Sequence, residues 1–100
     1  METRRAGDCV RVIASGEIDM AAEEAVVNAV AAALAALGAA ELVLDLTMIS
    51  FIDSAGLRAV LRARDCATSR DTRFVVVAVA GGPVARLFEM AGVADWLRYE

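Results

Sequence analysis

Leu42-Val43-Leu44-Asp45-Leu46-Thr47-Met48-Ile49-Ser50-Phe51-Ile52-Asp53-Ser54-Ala55-Gly56-Leu57 is the stretch whose reading decides the fold. It reads as an apolar strand over Leu42 to Leu46, a short loop, and then Asp-Ser-x-Gly-Leu opening a helix. A helix that starts at Asp53 or Ser54 puts one hydroxyl, that of Ser54, at its N-terminus. Free backbone N–H groups and the positive end of the helix dipole face any anion there. A phosphate attached to that hydroxyl is held locally, and its charge is displayed to a partner.

Upstream of this stretch, Cys9 to Ser15 is rich in β-branched residues and reads as a strand. Ala21 to Leu37 reads as a helix: Val26, Val30, Leu34 and Leu37 recur at spacings of three and four, and Gly38 stops it. Downstream, the helix from Asp53 or Ser54 runs to about Ala67 and buries Leu57, Val60 and Leu61, with Arg58 and Arg62 on its exposed side. Phe74 to Val79 is a continuous apolar run, the pattern of a strand buried on both faces. Gly81-Gly82-Pro83 breaks it and starts a third helix, with Val84, Leu87 and Phe88 inward and Gly92 at its end. Val93 to Leu97 closes the chain's organisation, and residues 1–8 read as a short edge strand. Strand and helix alternate, which predicts an α/β fold: a small mixed, largely parallel sheet of about four strands, with right-handed crossovers, in one domain over residues 1–100. Parallel strands share their carboxyl ends, so the segments 16–19, 47–56 and 80–83 are expected at one edge, where ligands of open α/β sheets usually bind.

Composition narrows the function. Hydrophobic residues make up 59%, but Ala supplies much of that, so the core is thinner than the figure suggests. The net charge of −4 gives no general pull toward phosphate backbones and argues against a nucleic-acid partner. All ten basic residues are Arg, which together with the Ala excess suggests a GC-rich, bacterial genome. The longest uncharged run, 25–40, is shorter than the roughly 20 residues of a membrane-spanning helix and is mostly Ala. The first eight residues lack the apolar core of a signal peptide, and a cytoplasmic location with no membrane partner is expected. Cys9 and Cys66 lack Cys-x-x-Cys spacing and read as reduced, mostly buried thiols.

Catalytic readings find little support. The chain has no His and no Lys, so neither a Ser-His-Asp triad nor a Ser-Lys dyad can form around Ser54. Ile52 stands where a Gly-x-Ser-x-Gly elbow needs its first Gly. No Gly-Lys-Ser/Thr phosphate loop is present, and isolated Cys residues without His give no metal set. Glu17 and Asp19 are strand-end acids, a type that is usually solvated or capping. Ser54 by itself reads as a helix cap. Gly56, one turn into a helix, is either a packing accommodation or a bare surface for a partner's close approach. Asp19 is either a cap for the following helix or part of a surface near Ser54.

With these elements in place the chain resembles the STAS-domain anti-sigma factor antagonists of the SpoIIAA type. The resemblance rests on Leu44-Asp45-Leu46 followed by Phe51-Ile52-Asp53-Ser54-Ala55-Gly56-Leu57, on Ser15-Gly16-Glu17-Ile18-Asp19, and on the run from Gly82 to Val93. It implies a partner switch and not an enzyme. The unphosphorylated protein binds an anti-sigma factor that is also a serine kinase, which frees the sigma factor. Phosphorylation of the serine matching Ser54 blocks that binding, and a serine phosphatase restores it. ATP belongs to the kinase, and no cofactor is expected on this chain. The implied partner surface comprises Glu17, Asp19, Asp53, Ser54, Ala55, Gly56, Arg58 and Arg62. Relatives often carry a second hydroxyl after the acceptor; Ala55 here leaves Ser54 as the motif's one acceptor. The alternative within the family is a phosphorylation-independent STAS module that serves as a scaffold or transport-accessory subunit.

Overall fold

The computed structural model describes the backbone of all 100 residues and every side chain except that of Leu37. In chain order it contains β1 (Glu2–Ala6), β2 (Cys9–Ile18), α1 (Glu23–Leu37), β3 (Glu41–Ile52), α2 (Ser54–Thr68), β4 (Arg73–Ala78), α3 (Pro83–Met90) and β5 (Leu97–Tyr99), with a 3-10 turn at Ala94–Trp96. The strands form one sheet in the order β1-β2-β3-β4-β5. β1 runs antiparallel to β2, and the remaining pairings are parallel. The mixed α/β, largely parallel architecture is as expected, and residues 2–6 do form an edge strand. The strand count is one higher than about four, because the closing segment ends in the three-residue β5, too short to show a period.

Each parallel strand lies beside its predecessor in sequence, so every right-handed crossover returns on the same side of the sheet. The helices therefore share one face. Alternation within the strands fits this: Val10, Val12, Leu42, Leu44, Leu46, Val76 and Ala78 join Val26, Val30, Val60, Val84 and Phe88 in one core cluster. Full burial of a Val, Leu or Phe contributes about 1.5–3 kcal/mol each. The buried stripe of α2 is nearly all alanine and glycine (Ala55, Gly56, Ala59, Val60, Ala63, Ala67), which lets that helix sit close to the sheet. Leu61 falls off this stripe and is 37% exposed, against expectation. The expected inward placement of Leu37 concerns a side chain outside those described.

The opposite face carries Val43 and Val77, which are nevertheless buried. A polar bridge crosses that face. Arg11 on β2 donates through Nη2 to Asp45 Oδ2 on β3 at 2.7 Å and to Glu100 Oε2, just past β5, at 3.1 Å. It thereby spans β3 and β4. Two-sided burial of the fourth strand holds for Val76, Val77 and Ala78, whereas Val79 lies beyond the strand and is exposed.

Two boundaries differ from the sequence reading in a way that shapes the site. β2 extends to Ile18 and β3 to Ile52, so residues 16–18 and 47–52 are paired strand, not loop. Between the pairs Ile13↔Asp45 and Ser15↔Met48, and again between Gly16↔Ile49 and Glu17↔Phe51, β3 advances one residue more than β2. Such bulges break the two-residue period that identifies a strand in sequence. α1 begins at Glu23, not Ala21, because residues 19–22 form turns.

Candidate functional site

The ends of β2 and β3 lie side by side. Glu17 pairs with Phe51 and Ile18 with Ile52, and the Asp53 N–H donates to Ile18 O at 3.4 Å. Asp19 and Ser54 each follow this junction by one residue, so the two strands deliver them to the same corner of the molecule.

Asp53 is the cap of α2. Its backbone is extended, and its Oδ1 accepts from the N–H groups of Ala55 at 3.0 Å and Gly56 at 3.1 Å. This is the ordinary device for satisfying first-turn donors. It relieves Ser54 of capping. Ser54 is the first residue of α2, is exposed, and its hydroxyl makes no hydrogen bond among the described residues.

A Cβ on Gly56 would stand 2.5 Å from Ile18 O and 2.5 Å from Ile52 Cγ1. The first is a backbone oxygen that cannot step aside. The bare glycine thus lets α2 start hard against the end of β2, and the packing reading of Gly56 holds over close approach by a partner. Ala55 is also buried. Ala55 and Gly56, expected on the partner surface, are both buried, immediately after an exposed Ser54.

Asp19 is half-buried, and its Oδ1 accepts from the Ala22 N–H at 3.2 Å. It closes the turn that leads into α1, whose own N-cap, Ala22, has no side-chain bond. Glu17 is exposed on β2.

Arg58 and Arg62 keep much of their side chains exposed, as expected, and both are also engaged in ion pairs across to α1. Arg58 Nη2 donates to Glu23 Oε1 at 2.9 Å and its Nε reaches both carboxylate oxygens, at 3.2 and 3.1 Å. Arg62 Nη1 donates to Glu23 Oε2 at 2.9 Å and to Glu24 Oε1 at 2.6 Å. Both helices follow parallel strands, so their N-termini lie at the same sheet edge, and this cluster ties them together there. Hydrogen bonds from Arg58 and then Arg62 hold the Glu23 carboxyl below its usual range. Sequence reasoning missed Glu23, because nothing in one helix's spacing announces a partner on another.

It also missed three exposed hydrophobic side chains at this edge. Met20 is 74%, Met48 64% and Phe51 46% exposed. Met48 lies beside Ser15 and Phe51 beside Glu17 in register. Their signal was present as large apolar residues inside segments read as loops, where no core position demands them.

The family model described as "Mlab, STAS domain" matches residues 1–99. The crystal structure of an anti-sigma factor antagonist from Mycobacterium paratuberculosis is similar, with a TM-score of 0.83 and 28% identity over 98% of this chain and 81% of that one. SpoIIAA in its unphosphorylated form shares the fold, with a TM-score of 0.81 and 19% identity over 99% of this chain and 86% of that one. The Bacillus cell fate determinant SpoIIAA in the phosphorylated form gives a TM-score of 0.72 and 20% identity over 99% and 89%. With a family model spanning nearly every residue and the sheet order and helix placement described above, the chain belongs to the STAS domain family.

Proposed function

We propose that this protein is an anti-sigma factor antagonist worked by a phosphate switch at Ser54. The unphosphorylated form binds an anti-sigma factor that is also a serine kinase and so frees the sigma factor. Phosphorylation of Ser54 ends that binding, and a serine phosphatase resets it. In this reading the chain is not an enzyme; ATP is the kinase's substrate, and the chain works in the cytoplasm. Among the described residues no helix is long and apolar enough to cross a membrane.

The observation that carries the reading is the division of labour at the start of α2. Asp53 caps the helix, and Ser54 is left exposed with an uncommitted hydroxyl. A kinase needs an accessible nucleophile whose extraction breaks no structure. The partner surface then comprises Glu17, Asp19 and Ser54 with the exposed Met20, Met48 and Phe51, while Asp53 and the inward Ala55 and Gly56 hold the acceptor in place. Adding a charge of about −1.5 to −2 to a surface a partner must desolvate weakens binding strongly. Similarity to the mycobacterial antagonist supports the same reading.

Incubation with ATP and a candidate anti-sigma factor serine kinase, followed by intact-mass and fragment spectra, tests it. Phosphate on Ser54 is the expected result. Phosphate on Thr47, Ser50 or Ser15 with Ser54 unmodified would overturn the assignment.

The matching family model is described as Mlab and not as an antagonist, which favours one alternative: a STAS module that binds its partner without phosphorylation, as a scaffold or transport-accessory subunit. That reading predicts partner affinity unchanged by Ser54→Asp.

A further inference from the structure

We propose that phosphate on Ser54 takes Arg58 from Glu23, so that the switch also loosens the joint between α1 and α2. The inference rests on the phosphoacceptor reading of Ser54 and goes beyond it, to what the modified residue does inside this molecule.

Arg58 is four residues after Ser54 on the same helix, so the two side chains are neighbours on one face. Arg58 is exposed, as is Ser54, and a helical side chain leans toward the helix N-terminus, the direction in which Ser54 lies. A phosphate oxygen cluster is a stronger match for a guanidinium than a single carboxylate, because it carries more charge and more acceptors. The surroundings of Ser54 are otherwise acidic: Asp19, Asp53, Glu23 and Glu24 all lie at this end, and Arg62 is two turns away and occupied. Among the described residues, Arg58 is thus the cation placed to meet a dianion at Ser54.

The exchange is made easy by the redundancy at Glu23. Glu23 is only 7% exposed and would be costly to strand without a partner. It has two, however. When Arg58 leaves, the bond from Arg62 Nη1 at 2.9 Å remains, and Arg62 is held in turn by Glu24 at 2.6 Å. The bidentate grip of Arg58 on Glu23 is what is lost. One of the two arginines bridging α1 to α2 is then spent on the phosphate.

The test uses the full chain with phosphoserine installed at position 54 during translation, so that it does not depend on any kinase. Arginine side-chain Nε–Hε resonances are compared with those of the unmodified chain. Arg58 is expected to shift on modification while Arg62 does not. The phosphate's second proton should be lost at a pH lower by roughly half a unit than in the same chain carrying Arg58→Gln, a shift of the size an exposed ion pair gives. In a Glu23→Gln chain Arg58 is already loosened, and its resonance should move less on modification. An unmoved Arg58 resonance, or a phosphate titration identical in wild type and Arg58→Gln, would overturn the exchange. Neither result would touch the acceptor reading, which stands or falls on whether the kinase modifies Ser54.

Discussion

Ser54 is useful because Asp53 and Gly56 do the structural work around it. Gly56→Ala introduces a Cβ 2.5 Å from Ile18 O, a contact relieved only by moving α2 off β2. The expected cost is about 1–3 kcal/mol, the usual range for overpacking, read as a lower urea midpoint. Asp53→Ala removes the cap of two N–H groups and should cost about 0.5–2 kcal/mol. Ser54→Ala breaks no hydrogen bond and should leave the midpoint within about 0.5 kcal/mol of wild type. A strongly destabilised Ser54→Ala would mean that the hydroxyl has a structural partner. The Asp-Ser-x-Gly-Leu run shows in sequence that a helix begins here. It does not divide the roles, since either Asp53 or Ser54 can cap and a glycine's neighbours come from a distant strand.

Among the elements, β3 joins the two halves of the account. Its first half, Leu42 to Leu46, was legible from composition alone. Its second half was not, because two bulges put Met48, Ser50 and Phe51 outward and Ile49 and Ile52 inward, with no simple period. The helix pair was legible as two helices but not as a joint, because Glu23 and Arg58 are 35 residues apart. That joint changes what charge reversal does. Arg58→Glu with Arg62→Glu sets two new carboxylates against Glu23 and Glu24. It should lower the unfolding midpoint, and an unchanged midpoint would show the joint to be dispensable.

The opposite face of the sheet is held differently. Burial disfavours ionised Asp45. Hydrogen bonds from the Thr47 hydroxyl and N–H and from Arg11 outweigh this and hold its carboxyl below the ordinary value of 3.8. A carboxylate depressed in the folded state stabilises fully above its unfolded value, and that stability is lost as pH falls through the lower folded value. Wild type should therefore weaken with acid below about pH 4, and Asp45→Asn should flatten that fall while lowering the midpoint at neutral pH. Glu100→Gln, which breaks the more exposed arm of the same bridge, should cost about 1 kcal/mol or less.

At the scale of the whole molecule, a sequential sheet with every crossover on one side leaves all parallel strand ends, and the N-termini of α1 and α2, at one edge. The alternation of strand and helix made this arrangement legible. The apolar side chains that gather at the edge were not, because they sit at positions no periodicity selects. The account's central claim is that this edge binds a partner only while Ser54 is unmodified. Titration calorimetry of the anti-sigma kinase against the unmodified chain and against the chain with phosphoserine at position 54 measures that claim directly. The account predicts tight binding of the unmodified chain and a loss of roughly 100-fold or more on phosphorylation, equivalent to about 2.7 kcal/mol. Equal affinities for the two forms would contradict it.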